Sequence, residues 1–142
     1  RAALLAQEIA VTGSWYLTID VSYLLGGAGS DFASTYESLT DQVEVGIKGK
    51  KVFDWQVEIS LIPGANWHPD FVLSAQRTSD GIGSGTISGG TSYQEVTETS
   101  SIFFQGGKNR KNITIQYQLS GFSTKVPTGT YTTTVVYMVT AI

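Results

Sequence analysis

From Ala3 to Leu25 the odd-numbered positions are mostly apolar (Ala3, Leu5, Ile9, Val11, Trp15, Leu17, Ile19, Val21, Tyr23 and Leu25), and the phase does not slip. Alternation with a period of two puts every second side chain on one face, so it commits this stretch to extended backbone with one buried side. A single strand of roughly 23 residues at about 3.3 Å each would reach about 75 Å, several times the usual strand length of about 17–20 Å. The run must therefore break or leave the domain. Gly13 interrupts it, and a glycine inside a strand pattern marks a bend or bulge. Divided there, the chain has an N-terminal arm over residues 1–13 and a body over residues 14–142, with an internal strand expected from about Ser14 to Leu25. The segment AALLAQEIA also has helix propensity, but a helix that short is marginal in water and its phase matches the strand after it, which favours extended structure.

The same period returns along the body. Val43, Val45 and Ile47 alternate with polar residues, as do Phe53, Trp55, Val57, Ile59 and Leu61, and the intervening GKK reads as the bend of a hairpin. Phe71, Leu73 and Ala75 begin another strand; Ile113, Ile115, Tyr117 and Leu119 mark a further one. The last strand, after the turn at Pro127 and Gly129, carries Tyr131, Thr133, Val135, Tyr137 and Val139 on one face. GGAGSDFASTYESLTD reads as loop, IPGANWHPD as turn, and the stretch TSYQEVTETSSIFF as β structure broken near Ser100 and Ser101. SDGIGSGTISGG, with five glycines, reads as a flexible surface connection, and no helix comes after it to aim backbone N–H groups at a phosphate. About seven strands separated by turns predict an all-β fold, an antiparallel immunoglobulin-like β-sandwich with an N-terminal extended arm.

Composition narrows the function. A chain of 142 residues is one domain with room for a core, and without cysteine it has neither thiol chemistry nor disulfides. A net charge of −3 offers no broad basic footprint for nucleic acid, and KGKK (Lys48, Lys50, Lys51) and KNRK (Lys108, Arg110, Lys111) read as solvated turns. No stretch approaches the roughly 20 apolar residues of a membrane helix. Low charge with abundant Gly, Ser and Thr suits an extracellular β protein, and the small residues of AALLA fit the tail of a secretory signal with its junction near Ala6. Catalytic signals are thin. His68 is the lone histidine, in NWHPD, with nothing local marking a nucleophile, and Asp54 and Glu58 share the outward phase of one strand. No enzyme activity, metal or cofactor is expected. Trp15 and Trp55 lie in the apolar phase and read as core. Trp67, beside Asn66, His68 and Asp70, reads as a loop tryptophan packed over the end of the sandwich, with a sugar-stacking platform as the alternative. NIT at Asn112 matches the acceptor for N-glycosylation, with Asn112 in the outward phase.

An arm of this kind can add an edge strand to its own sheet or insert into a neighbour's. The terminal segment PTGTYTTTVVYMVTAI resembles the last strand of fimbrial and spore-coat-like β-sandwich subunits that assemble by donor-strand exchange, including the chaperone–usher type. Gly129 matches the glycine fourteen residues from the C-terminus in that family, whereas Ala141 stands where the family has a tyrosine. The resemblance covers the two ends of the chain. It implies an extracellular, cell-surface pilus or fibre subunit whose partners are copies of itself in a head-to-tail homopolymer, with an assembly chaperone. The donor arm would correspond to Ala3, Leu5, Ile9 and Val11, with Gln7 as a polar exception and Gly13 as hinge. Gly129, Tyr131, Val135, Tyr137 and Val139 would form the acceptor side. The competing readings are a monomeric carbohydrate-binding or adhesive module using Trp67, and an accessory domain of a larger surface protein with AALLAQEIA as linker.

Overall fold

The computed structural model describes residues 7–16, 35–49, 54–122, 126, 127 and 129–142. Its strands are β1 (Gln7–Thr12), β2 (Thr35–Glu37), β3 (Val43–Gly49), β4 (Asp54–Pro63), β5 (Val72–Arg77), β6 (Ile82–Gly83), β7 (Ile87–Ser88), β8 (Gln94–Val96), β9 (Ser101–Gly107), β10 (Arg110–Ser120) and β11 (Thr133–Ala141). The chain is all-β and antiparallel. A seven-stranded sheet runs β1-β3-β10-β5-β8, with β2 and β6 also paired to β10, and a four-stranded sheet runs β11-β4-β9-β7. Of the seven strands of six residues or more, all but β9 are picked out by periodicity, and β9 begins at the break expected near Ser100 and Ser101; the other four are two- or three-residue pieces with too little pattern to register.

Alternation sets which face each strand buries. In β4 the side chains of Trp55, Val57, Ile59 and Leu61 are buried, and in β10 those of Ile113, Ile115, Tyr117 and Leu119. Together with Val43, Val45 and Ile47 from β3 and Leu73 and Ala75 from β5 they form one core between the two sheets, a two-layer arrangement in which each sheet hides one face. Trp55 is fully buried, and its Nε1–H is satisfied by donating to the carbonyl of Lys108 at 2.8 Å.

Three expectations are corrected. β3 and β4 are not a hairpin: β3 pairs with β1 and β10, β4 with β9 and β11, so the chain crosses from one sheet to the other between them. Both strands need their apolar face inward, and alternation is the same whether the next strand lies beside or across the core. SDGIGSGTISGG is not a loose connection. It contributes β6 to β10 and β7 to β9, so it too passes between sheets. Gly85 is packed so closely that a Cβ there would collide with the carbonyl of Gly107. Arg110, placed in a solvated turn by its charged neighbours, is buried, while Lys108 and Lys111 are exposed. Lys48 is exposed as expected; Lys50 and Lys51 lie outside the described residues.

Arg110 and the equally buried Arg77 hold the glycine-rich segment down. Arg110 donates from Nη1 to the carbonyl of Asp80 at 2.8 Å and from Nη2 to that of Gly85. Arg77 donates from Nε to the carbonyl of Gly89 at 2.9 Å and from Nη1 to the Asp80 carboxylate at 2.6 Å, with its guanidinium 5.9 Å from the centre of the Phe104 ring. Carbonyls with no side chains between them and the next backbone need donors, and two long, forked side chains supply several each. Arg110→Met should therefore lower stability by about 2–4 kcal/mol, the cost of stripping two carbonyls of a donor without leaving a cavity. Urea denaturation measures it, and amide exchange should quicken first at residues 81–90.

Candidate functional site

β1 stops at Thr12, where the chain leaves the sheet: residues 13–16 have no regular structure, and the remainder of the internal strand expected to Leu25 lies outside the described residues. The break falls at Gly13 for a steric reason. Its φ is +118°, and a Cβ would run into the carbonyl oxygen of Gln42. The Gln42 side chain then anchors the exit by donating from Nε2 to the carbonyl of Ser14 at 2.5 Å. Within β1, Ile9 pairs with Ile47 and packs against the core, whereas Val11, paired with Val45, is 43% exposed. Ala3 and Leu5 lie outside the described residues. The edge carrying β1 also approaches β11 of the opposite sheet.

Past the end of β1 the two sheets part around a cleft of about 650 Å³. Its near wall is the inner face of the large sheet, with Val43, Leu73, Tyr117 and Leu119; its far wall is the start of β11, with Thr133, Val135 and Tyr137. Trp15 stacks on Tyr117 with ring centres 6.3 Å apart and planes at 14°, while Tyr16 is 89% exposed at the mouth. Trp67 caps one end. It meets Phe71 edge-on at 5.0 Å, and Phe71 meets Tyr131 at 5.1 Å, so the tryptophan packs over the end of the sandwich and lines the cleft as well. His68 belongs to the same cluster, 5.6 Å from Phe71, and its Nδ1 accepts from the Asp70 backbone N–H at 3.1 Å.

The structure thus brings Val11, Gly13, Trp67, Gly129, Tyr131, Val135 and Tyr137 to one cleft, out of residues spread along the chain. Ile9 and Val139 pack against the core but do not line it, and Asn112 is exposed elsewhere, on β10. Tyr117, Trp15 and Phe71 complete the walls. In the sequence Trp15 reads as core and Tyr117 and Phe71 as apolar strand positions, because an apolar phase does not distinguish a filled interior from one left open. Among the described residues β11 is hydrogen-bonded on one side only, to β4, and no cluster of three or more His, Asp or Glu is placed to hold a metal. No described helix is long and apolar enough to cross a membrane.

At the floor of the cleft Tyr117 and Tyr137 join the two sheets through their hydroxyls, 2.5 Å apart. Burial pushes both above the ordinary tyrosine value of about 10, and for Tyr137 the neighbouring Tyr117 adds to the effect. Tyr93 is pushed up to about 12 by burial and by its hydrogen bond to Glu37. A folded-state pKa raised above the unfolded value means the native state holds the proton more tightly, so the stabilisation is complete below pH 10 and is lost as pH rises through the folded values. Stability should fall from about pH 10 upward, and Tyr137→Phe should flatten that fall; denaturation midpoints followed with tyrosinate absorbance check both. Comparison with protein-family models, with curated proteins and with solved structures finds no match to this chain.

Proposed function

We propose that this chain is a structural subunit of an extracellular fibre, polymerising by insertion of its N-terminal strand into the neighbouring subunit. The observation that carries this reading is how β1 is held: six residues paired with the edge of β3, Ile9 packed on the core, and a glycine hinge at Gly13. The edge of β3 in a second copy offers the same ladder in the same register, and β-strand addition draws its affinity from main-chain hydrogen bonds of that kind. Donor and acceptor surfaces differ, so repetition is head-to-tail and yields an open filament. Val11 at the end of the arm lines the same cleft as Tyr131, Val135 and Tyr137, and an inserted arm would bring the same side chain to that place in its neighbour.

Because closed and exchanged forms share their contacts, hinge strain and local concentration decide between them. An assembly chaperone would act by covering the β3 edge until a second copy arrives. The extracellular setting rests on the low charge and the Gly, Ser and Thr content. Electron microscopy of the full chain should reveal thin filaments, absent when residues 1–12 are removed. Ile9→Asp should abolish them while leaving the unfolding of the body nearly unchanged. Gly13→Ala, by straining the closed hinge by about 1–2 kcal/mol, should raise the polymer fraction. Monodisperse particles from both the full and the truncated chain would overturn the proposal.

A second reading comes from the lining of the cleft. Trp15, Tyr16, Trp67 and Tyr131 stand around a volume within the range of small-molecule sites, about 300–1,000 Å³, which suits stacking of sugar rings in a carbohydrate-binding or adhesive module. That module would quench or shift tryptophan fluorescence on titration with oligosaccharides, with the change diminished in Trp67→Ala. Unchanged fluorescence across a sugar panel from material that forms filaments would leave the fibre reading alone.

A further inference from the structure

We propose that Asn112 carries an N-linked oligosaccharide, standing on the outer face of the seven-stranded sheet. The acceptor triplet Asn112-Ile113-Thr114 lies where β10 is irregular: Arg110 pairs with Ile47 and Ile113 with Val45, so Lys111 and Asn112 together face Gly46 alone. That bulge lifts Asn112 out of the ladder. Its φ of +58° is in the left-handed region, which asparagine tolerates better than most residues, and its side chain is exposed with no hydrogen bond to the amide among the described residues. Arg110 and Ile113 on either side are buried, so the residue between them points away from the core and from the cleft.

Among the described residues, the positions across the sheet from it carry little side-chain bulk. The neighbour across the bulge is Gly46, and Gly46 pairs in turn with Ala10 of β1. Two positions with one methyl group between them leave a flat strip on which the first sugar ring can lie without displacing a side chain. The ladder joining β1 to β3 runs in the plane of the sheet, so a glycan above that plane does not interrupt it. This inference stands on the outer face of the sheet and is independent of the fibre reading.

The co-substrate is an oligosaccharide carried on a polyprenyl diphosphate, with its transferase. Nδ2 of Asn112 attacks the anomeric carbon; the N–C bond forms as the C–O bond to phosphate breaks, the polyprenyl diphosphate leaves with the electron pair, and the amide proton passes to a base of the transferase. In the folded chain the Thr114 hydroxyl is engaged with those of Thr78 at 2.6 Å and Ser79 at 2.8 Å, and Thr114 pairs with Glu44. Recognition of the acceptor needs that hydroxyl and a free strand, so transfer precedes the docking of β10.

The test is intact mass and peptide mapping of the chain purified from its natural source. The expected result is an oligosaccharide mass excess confined to the peptide containing Asn112, released by an amidase that converts the residue to aspartate. Expressed in the same source, Asn112→Gln should lose the excess and Thr114→Ser, which keeps the hydroxyl, should retain it. A bare peptide in the natural material, or a mass excess that persists in Asn112→Gln, would overturn the proposal.

Discussion

The large sheet depends on the pairing of β10 on both its edges. Its 11 residues take β3 and β2 along one side and β5 and β6 along the other, so four strands from distant parts of the chain are registered against a single one. Such pairing is costly in chain entropy, because each contact closes a long loop before any other contact supports it. Burial of Ile113, Ile115, Tyr117 and Leu119 on the same strand offsets that cost, and it ties the hydrogen-bonded ladder to the core. The bulge at residues 111 and 112 belongs to this arrangement. It takes up an extra residue so that Arg110 and Ile113 both face inward.

Polar groups inside the fold obey the same geometry. Gln116 sits in the outward phase of β10 and is nevertheless buried, because the residues after β2 fold over it; its amide donates to the carbonyl of Ser38 at 2.9 Å and accepts from Gln76 at 2.9 Å. Thr78, Thr114 and Ser79 close a second group of hydroxyls nearby. Buried polar atoms matched in this way fix register, since a slip by one residue would strip each of its partner.

Much of the fold can be read from the period-two pattern. Trp55, Val57, Ile59, Ile113, Ile115 and Leu119 are buried where alternation places them, and the break at Gly13 falls where a glycine interrupts it. Pattern alone specifies faces and not neighbours, which is why β3 and β4 read as a hairpin although they belong to opposite sheets. The roles of Arg77 and Arg110 are hidden for a different reason: a guanidinium among polar neighbours, Gln76 and Thr78 for one and Asn109 and Lys111 for the other, carries no local mark of the carbonyls it will meet from a segment folded back over it. The cleft is legible only in part. Tyr131, Val135, Tyr137 and Trp67 are visible as an aromatic and apolar set, but their convergence with Val11 and Trp15 depends on two sheet edges approaching each other, a property of topology.

The antiparallel register of β1 on β3 has a mechanical consequence. Tension applied along the axis of an edge strand loads all of its hydrogen-bonded pairs in parallel, whereas tension across it opens them one at a time from an end. The six pairs from Gln7 and Gly49 to Thr12 and Glu44 form one such ladder. A pull along the axis of β1 therefore shears the whole ladder together, and the contact resists stretching far better than it resists peeling.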